Sequence, residues 1–251
     1  MRINALSRSK GRYRMKILAL DSTAKICTAA LTCDRELVSI ETLDAGMTHS
    51  ETLLPIIERL LRDAKWKVSD IDMFALSAGP GSFTGVRIGA ATVKGLSFDR
   101  KRPCVALSSL HALSYNCIDC EGIVVSSMDA RRGQVYCAVF RVKDGCVERI
   151  SDDMAIAVTD LCDICEKYTD DKIYLVGDGA LLVFAELEKR NSALDYEYSS
   201  ERAGQNAYSV ALLGYDTYQK GESVSDTDLR PSYLRLAQAE RERLEKINKE
   251  K

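Results

Sequence analysis

Apolar and β-branched residues cluster or alternate over Ile17–Leu20, Cys27–Thr32 and Leu37–Glu41, with polar turns at Asp21-Ser-Thr-Ala-Lys25 and Asp34-Arg35 between them. Short runs bounded by turn residues predict three strands joined as a meander. From His49 to Ala64, Leu53, Leu54, Ile57, Leu60, Leu61 and Ala64 recur at intervals of three and four, which predicts an amphipathic helix. Thr48 and Ser50 are available to cap it, and Pro55 is expected to fall in about the first turn, where a missing N–H is tolerated. A strand over Met73–Ala78 then enters Gly79-Pro80-Gly81 and a helix running to about Phe98.

The second half repeats this order. Ile123–Ser127 reads as a strand ending at Asp129, followed by the turn Ala-Arg-Arg-Gly133, a strand Val135–Val142, the turn Lys143-Asp-Gly145 and a further short strand. A helix around Asp160–Tyr168 and a strand Lys172–Val176 entering Gly177-Asp-Gly179 complete the repeat. Asp21 and Asp129 hold equivalent places, as do the glycine turns at Gly79 and Gly179, with the spacing kept within a few residues. Such recurrence predicts a structural duplication, two α/β lobes with a cleft between them. The expected divisions are a basic, disordered leader 1–14, a first lobe 15–108 ending near Pro103–Ser109, a second lobe 109–221, and a return segment with a charged, solvated helix 222–251.

Composition narrows the function classes. With 35 basic against 37 acidic side chains in 251 residues, the net charge of −2 provides no global field to draw the protein onto nucleic acid or an anionic membrane. Any RNA contact must be local or shared with a partner. No apolar run approaches the roughly 20 residues of a membrane helix, and the start carries no hydrophobic signal stretch, so a cytoplasmic location is expected. Nine cysteines, an odd count, point to reduced thiols rather than a disulfide framework. The leader, with Arg2, Arg8, Lys10, Arg12 and Arg14 and no acid, reads as an upstream start or dispensable tail, with a transit peptide as the alternative; folding is expected to begin near Met15.

Lobes that open with strand, Asp, turn and strand follow the plan of the actin, Hsp70 and sugar-kinase group, which places Asp21 and Asp129 at the cleft, with the alternative that both simply cap strand ends and bind their own turns. Phosphate hairpins need close backbone approach and therefore glycine, but Asp21-Ser-Thr-Ala-Lys-Ile-Cys27 has none, so this loop reads as degraded. In Gly79-Pro-Gly-Ser-Phe-Thr-Gly-Val-Arg-Ile-Gly89 the spacing is neither that of a Rossmann turn nor that of a Walker loop, leaving anion binding and a plain turn-plus-cap both open. The candidate vestigial anion cleft comprises Asp21, Ser22, Thr23, Gly79, Gly81, Ser82, Asp129, Gly177 and Gly179. Gly85, Gly89 and Thr92 form a small-residue stripe among apolar neighbours, and Ile56 lies outside the main stripe of the preceding helix; this surplus suggests a partner face. Cys117-Ile-Asp-Cys120 and Cys162-Asp-Ile-Cys165 lack zinc-ribbon spacing, and His49 and His111 are isolated, so no metal site is expected.

The eleven-residue glycine motif closely resembles the TsaB (YeaZ) family of tRNA threonylcarbamoyladenosine biosynthesis. The likeness extends over Ile17-Leu-Ala-Leu-Asp-Ser22, Thr48-His-Ser50, Met128-Asp-Ala-Arg131, Val176-Gly-Asp-Gly-Ala180 and Pro231-Ser-Tyr-Leu-Arg235. The resemblance implies an ASKHA-type pair of RNase H-like lobes, the second reduced, and a non-catalytic scaffold for the transferase TsaD, with the ATPase TsaE as a third component. It also implies a homodimer in isolation, ATP or ADP only at an interface shared with partners, and tRNA reached only through the complex. An older peptidase description is not expected to hold, since at His111-Ala-Leu-Ser-Tyr115 the second histidine of the TsaD metal pair is absent. By motif position the resemblance places the partner contact on the first-lobe helices, at Leu53, Ile56, Ile57, Leu60, Thr84, Gly85, Ile88, Gly89, Thr92 and Val93. The rival reading from the residues is an ATP-dependent small-molecule kinase of the same superfold.

Overall fold

The computed structural model describes residues 14–44, 48–98 and 102–235. Residues 1–13 and 236–251, which include nearly all of the expected leader and the expected charged helix, lie outside the described residues. The first lobe runs β1 (Lys16–Asp21), β2 (Cys27–Cys33), β3 (Glu36–Leu43), α1 (His49–Ala64), β4 (Met73–Gly79), α2 (Phe83–Ser97) and β5 (Cys104–Ser108). A connecting helix α3 (Ser109–Ser114) leads to β6 (Gly122–Arg131), β7 (Gln134–Lys143), β8 (Cys146–Arg149), β9 (Met154–Ala157), α4 (Val158–Cys165), β10 (Ile173–Val176), α5 (Ala180–Lys189) and β11 (Tyr196–Tyr198). The helices α6 (Ser200–Ala203) and α7 (Ala207–Gln219) follow.

The duplication is visible in the pairing. The first sheet has the order β3-β2-β1-β4-β5, the second β8-β7-β6-β10-β11, with β9 also pairing β7. In each, the first three strands pair antiparallel and the last two join them in parallel. The second lobe is the smaller one: α4 has 8 residues where α1 has 16, and β10 has 4 where β4 has 7. The fold is thus the two-lobed RNase H-like, ASKHA-type α/β architecture with a reduced second lobe.

The alternation along β1 explains why this strand is central. Leu18 and Leu20 face one core with α1 and α2, whereas Ile17 and Ala19 face another that contains Val210, Ala211 and Leu213 of α7. Since α7 packs on the first sheet, the expected second lobe 109–221 is divided: its sheet stands apart, but its last helix covers the first lobe. The return segment belongs there too, because Val224 bridges Cys104 at the β5 edge and Leu229 is fully buried in the α1/α2 core.

α1 has the expected limits, with Thr48 as N-cap; its hydroxyl donates to Glu51 at 2.7 Å. Pro55 departs from expectation, standing in the second turn of the helix. It is tolerated because it lies on the exposed face, where water can satisfy the Glu51 carbonyl that the ring leaves without a donor. Among the described residues no helix is long and apolar enough to cross a membrane.

Candidate functional site

The turn after β1 holds the first lobe together. The Thr23 amide and hydroxyl donate to Asp21 Oδ1 at 2.8 and 2.7 Å, Ser22 Oγ donates to the Gly85 carbonyl at 2.9 Å, and the Ser82 amide donates to the Thr23 carbonyl at 2.6 Å. His49 Nε2 meets the Ala24 carbonyl at 2.7 Å. The start of α2 is closed by its own sequence, since Ser82 Oγ accepts from the Gly85 amide at 3.2 Å. Of the two readings left open for the glycine motif, turn-plus-cap is therefore what the described contacts show. Gly85 is obligatory here because a Cβ would overlap the Ser22 carbonyl oxygen.

Asp21 is only 1% exposed and lies behind this turn, outside the cleft. Burial pushes its carboxyl above the ordinary range, against the hydrogen bonds that lower it. Stability from this group is therefore full below the unfolded value of 3.8 and is lost as the pH rises through the folded value. Asp21→Asn keeps an acceptor for Thr23 and removes the buried charge. It is expected to melt higher than the parent near pH 7, where the parent must hold a charge away from water, and to lose this advantage below about pH 4. Thermal scans at both pH values check this; a variant no more stable than the parent near neutrality would contradict it.

A cleft of about 480 Å³ separates the lobes. Thr23, Lys25, Gly81 and Ser82 line it from the first lobe, and Asp129, Arg131, Tyr136 and Asp178 from the second. The return segment 232–235 closes one side: Ser232 donates its amide to the Ala78 carbonyl at 2.7 Å, Tyr233 lies 4.9 Å from the Phe83 ring, and Arg235 donates to Gln134 Oε1 at 2.5 Å. This strap accounts for Gly79, whose φ of +120° is left-handed and whose Cβ would overlap the Ser232 carbonyl.

Of the residues expected in the cleft, Thr23, Gly81, Ser82 and Asp129 line it. Asp21 and Ser22 do not, because they are buried, nor do Gly79, Gly177 and Gly179, which sit where backbones cross; Gly177, at φ +99°, passes the Ser127 carbonyl. Sequence reasoning missed Lys25, Arg131, Asp178 and the strap as cleft residues, although Asp178 stands conspicuously between two glycines. Asp178 is exposed on the wall yet surrounded by protein, and this, together with Asp129, pushes its carboxyl up. The Asp129 amide donates to Asp178 Oδ1 at 3.2 Å, and Arg131 pairs with Asp129 at 3.1 Å.

The expected partner residues separate into two groups. Leu53, Ile56, Ile57, Leu60, Gly85, Gly89 and Val93 are buried within the chain. The surplus apolar surface read from sequence is covered internally, because α1 rests on β2 and β3 with α2 beside it. Thr84, Ile88 and Thr92 remain accessible, and Ala91, Gly95, Phe98 and, on α1, Leu54 are exposed. The cysteine pairs face inward except for half-buried Cys120; burial pushes Cys117 and Cys165 up to about 12. His111 stacks on Phe140 at 5.1 Å, and burial pushes it down to about 4. Among the described residues, no group of three or more His, Cys, Asp or Glu is placed to hold a metal ion.

Comparison with known proteins agrees with this architecture. The family model described as TsaD, tRNA N6-adenosine threonylcarbamoyltransferase, matches residues 41–214. The Bacillus subtilis tRNA threonylcarbamoyladenosine biosynthesis protein TsaB is 29% identical over 226 residues, covering 90% of this chain and 96% of that protein. Its Haemophilus influenzae counterpart is 28% identical, covering 88% and 94%. YeaZ from Pseudomonas aeruginosa superposes with a TM-score of 0.71 at 24% identity, covering 88% of this chain and all of that one. The ethanolamine utilization protein EutJ from Carboxydothermus hydrogenoformans shares the fold, with a TM-score of 0.52 at 14% identity over 84% of this chain and 92% of that one. A family match over more than half the chain, and likeness along nearly its whole length to proteins named TsaB, place this chain in the TsaD-like family on its TsaB (YeaZ) branch.

Proposed function

We propose that the chain serves tRNA threonylcarbamoyladenosine biosynthesis as a non-catalytic subunit that binds the transferase TsaD and keeps it competent. The relatives' names describe a biosynthesis protein, not the transferase. The observation that carries the reading is Asp21: the residue that a phosphotransfer cleft would present to its substrate is sealed beneath the Thr23–Lys25 turn. A group without access to a substrate cannot act on it.

The docking face is the outer side of the first-lobe helices. Thr84, Ile88, Ala91, Gly95 and Phe98 follow one another at intervals of three and four and so share one side of α2. Phe98 is 73% exposed, Leu54 on α1 is 48% exposed, and a Cβ on Gly95 would meet nothing within 4 Å, so a second helix can approach closely. In the absence of TsaD the same face pairs two copies of this chain. TsaE joins as a third component, and any ATP or ADP lies at an interface shared with those partners.

Co-purification with TsaD from the same organism tests this. Phe98→Glu and Gly95→Trp are expected to leave the melting temperature unchanged and to weaken the complex by at least about 30-fold, as loss of a central anchor does. Undiminished binding by both variants would refute the docking face; no complex with the parent chain would refute the function.

A further inference from the structure

We propose that the mouth of the interlobe cleft is a contact site for single-stranded RNA, with phosphates on Arg131, Arg132 and Arg235 and one base taken into the cleft against Tyr136. The first observation is the β6–β7 hairpin. Arg131 pairs with Gln134 across a two-residue loop, and Arg131, Arg132 and Gly133 all have left-handed backbone, at φ 67°, 58° and 71°. Such turns favour Asn, Asp or Gly. Arginine at two of these positions has no packing reason: the Arg131 side chain is 86% exposed and pairs with Asp129, and Arg132, exposed and with no ion pair among the described residues, lines an adjoining hollow beside Leu182 and Lys189 of α5.

A second cation reaches the same rim from the strap. Arg235 is fixed by Gln134 and stands 5.6 Å from the Tyr136 ring centre, and Lys25, paired with Asp44 at 2.9 Å, faces it from the first lobe. Three separate elements thus bring cations to one opening, in a chain whose net charge offers no general attraction to polyanions. Within the cleft the charge is reversed. Asp178 lines it beside Asp129, which Arg131 pairs, so a polyphosphate entering first would meet the Asp178 carboxylate, whereas the amino edge of a base would meet an acceptor. Cations outside and carboxylates beside an aromatic ring inside suit a strand that lays its backbone on the rim and turns a base inward. They do not suit a free nucleoside triphosphate. The choice of RNA among polyanions rests on the proposed tRNA-modification role, and it adds a direct contact where the sequence suggested tRNA only through the complex.

Fluorescence anisotropy of the full chain with a labelled single-stranded RNA, read over a salt series, tests the proposal. The parent is expected to bind below about 100 µM at low salt, and Arg131→Glu/Arg132→Glu to bind at least about tenfold more weakly, with the salt slope flattened by about 0.7 per lost phosphate contact. Arg132→Asn suits the left-handed backbone; it should melt no lower than the parent and still bind more weakly. Unchanged affinity in both variants, or no binding by the parent, would overturn the proposal. Displacement of RNA by ATP at the concentration where ATP itself binds would assign the cleft to a free nucleotide and overturn it likewise. A parent chain that docks TsaD but binds no RNA refutes this inference alone; a parent chain that binds RNA but does not dock TsaD refutes the proposed function alone.

Discussion

Replacing Gly89 with leucine is expected to lower the melting temperature of the isolated chain by about 4–8 °C, whereas the same change at Gly95 is not. Gly89 lies on the inner side of α2, where a Cβ would approach Ser22 Oγ at 2.7 Å and Leu76 Cδ1 at 2.9 Å. Ser22 cannot retreat cheaply, because its buried hydroxyl donates to the Gly85 carbonyl. A leucine adds three more carbons to this seam, at a cost of about 3 kcal/mol set against roughly 1 kcal/mol gained in helix propensity. Gly95 faces open space, so leucine there keeps the propensity gain. Calorimetry of both variants without any partner checks this. The result also decides how loss of TsaD binding at Gly89 is understood: a loss that accompanies lower stability reports the fold, not the docking surface.

Leu229→Ala is expected to destabilise the chain by about 2–5 kcal/mol, although the residue lies in a return segment that sequence places outside both lobes. Leu229 is completely buried among Leu18, Leu53 and Ile57 of the first-lobe core. Truncating it leaves a cavity that the surrounding strands and helices cannot fill without moving. Val224 covers the β5 edge, and Tyr233 joins Phe83 and Arg87, whose Nε donates to the Tyr233 hydroxyl at 2.9 Å. Denaturant titration measures the effect. A loss below about 1 kcal/mol would mean that the segment rests on the core without completing it.

How much was legible followed the range of the interactions involved. α1 was readable to its terminal residues because helical periodicity and capping are local: Thr48, the stripe from Leu53 to Ala64 and the left-handed Lys65 all lie within one short stretch. The paired lobes were readable because strand order recurred in the same sequence order. β9 was missed, since a four-residue strand of partly buried residues has too little alternation to stand out. Most of the expected partner residues are buried in this chain for a different reason. An apolar side chain looks the same in sequence whether its neighbour is its own sheet or another protein, and Ile56 became core only because β2, β3 and α2 surround it.

The candidate cleft shows the same division. Asp129 could be placed from the repeat, but Asp21, its counterpart in that repeat, is withdrawn by a turn that also holds α1 and α2. Arg235 reaches Gln134 across 101 positions of chain, and Arg87 reaches Tyr233 across 146. By itself the sequence determined the repeated strands and helices at the heart of each lobe, their duplication and the positions where glycine was needed, since these depend on backbone conformation and periodic burial. Only the tertiary structure decided which face of each helix remains open, that α7 and the return segment complete the first lobe, and that cations ring a cleft lined by carboxylates. Those features depend on distances between segments far apart in the chain, which no local pattern of residues encodes.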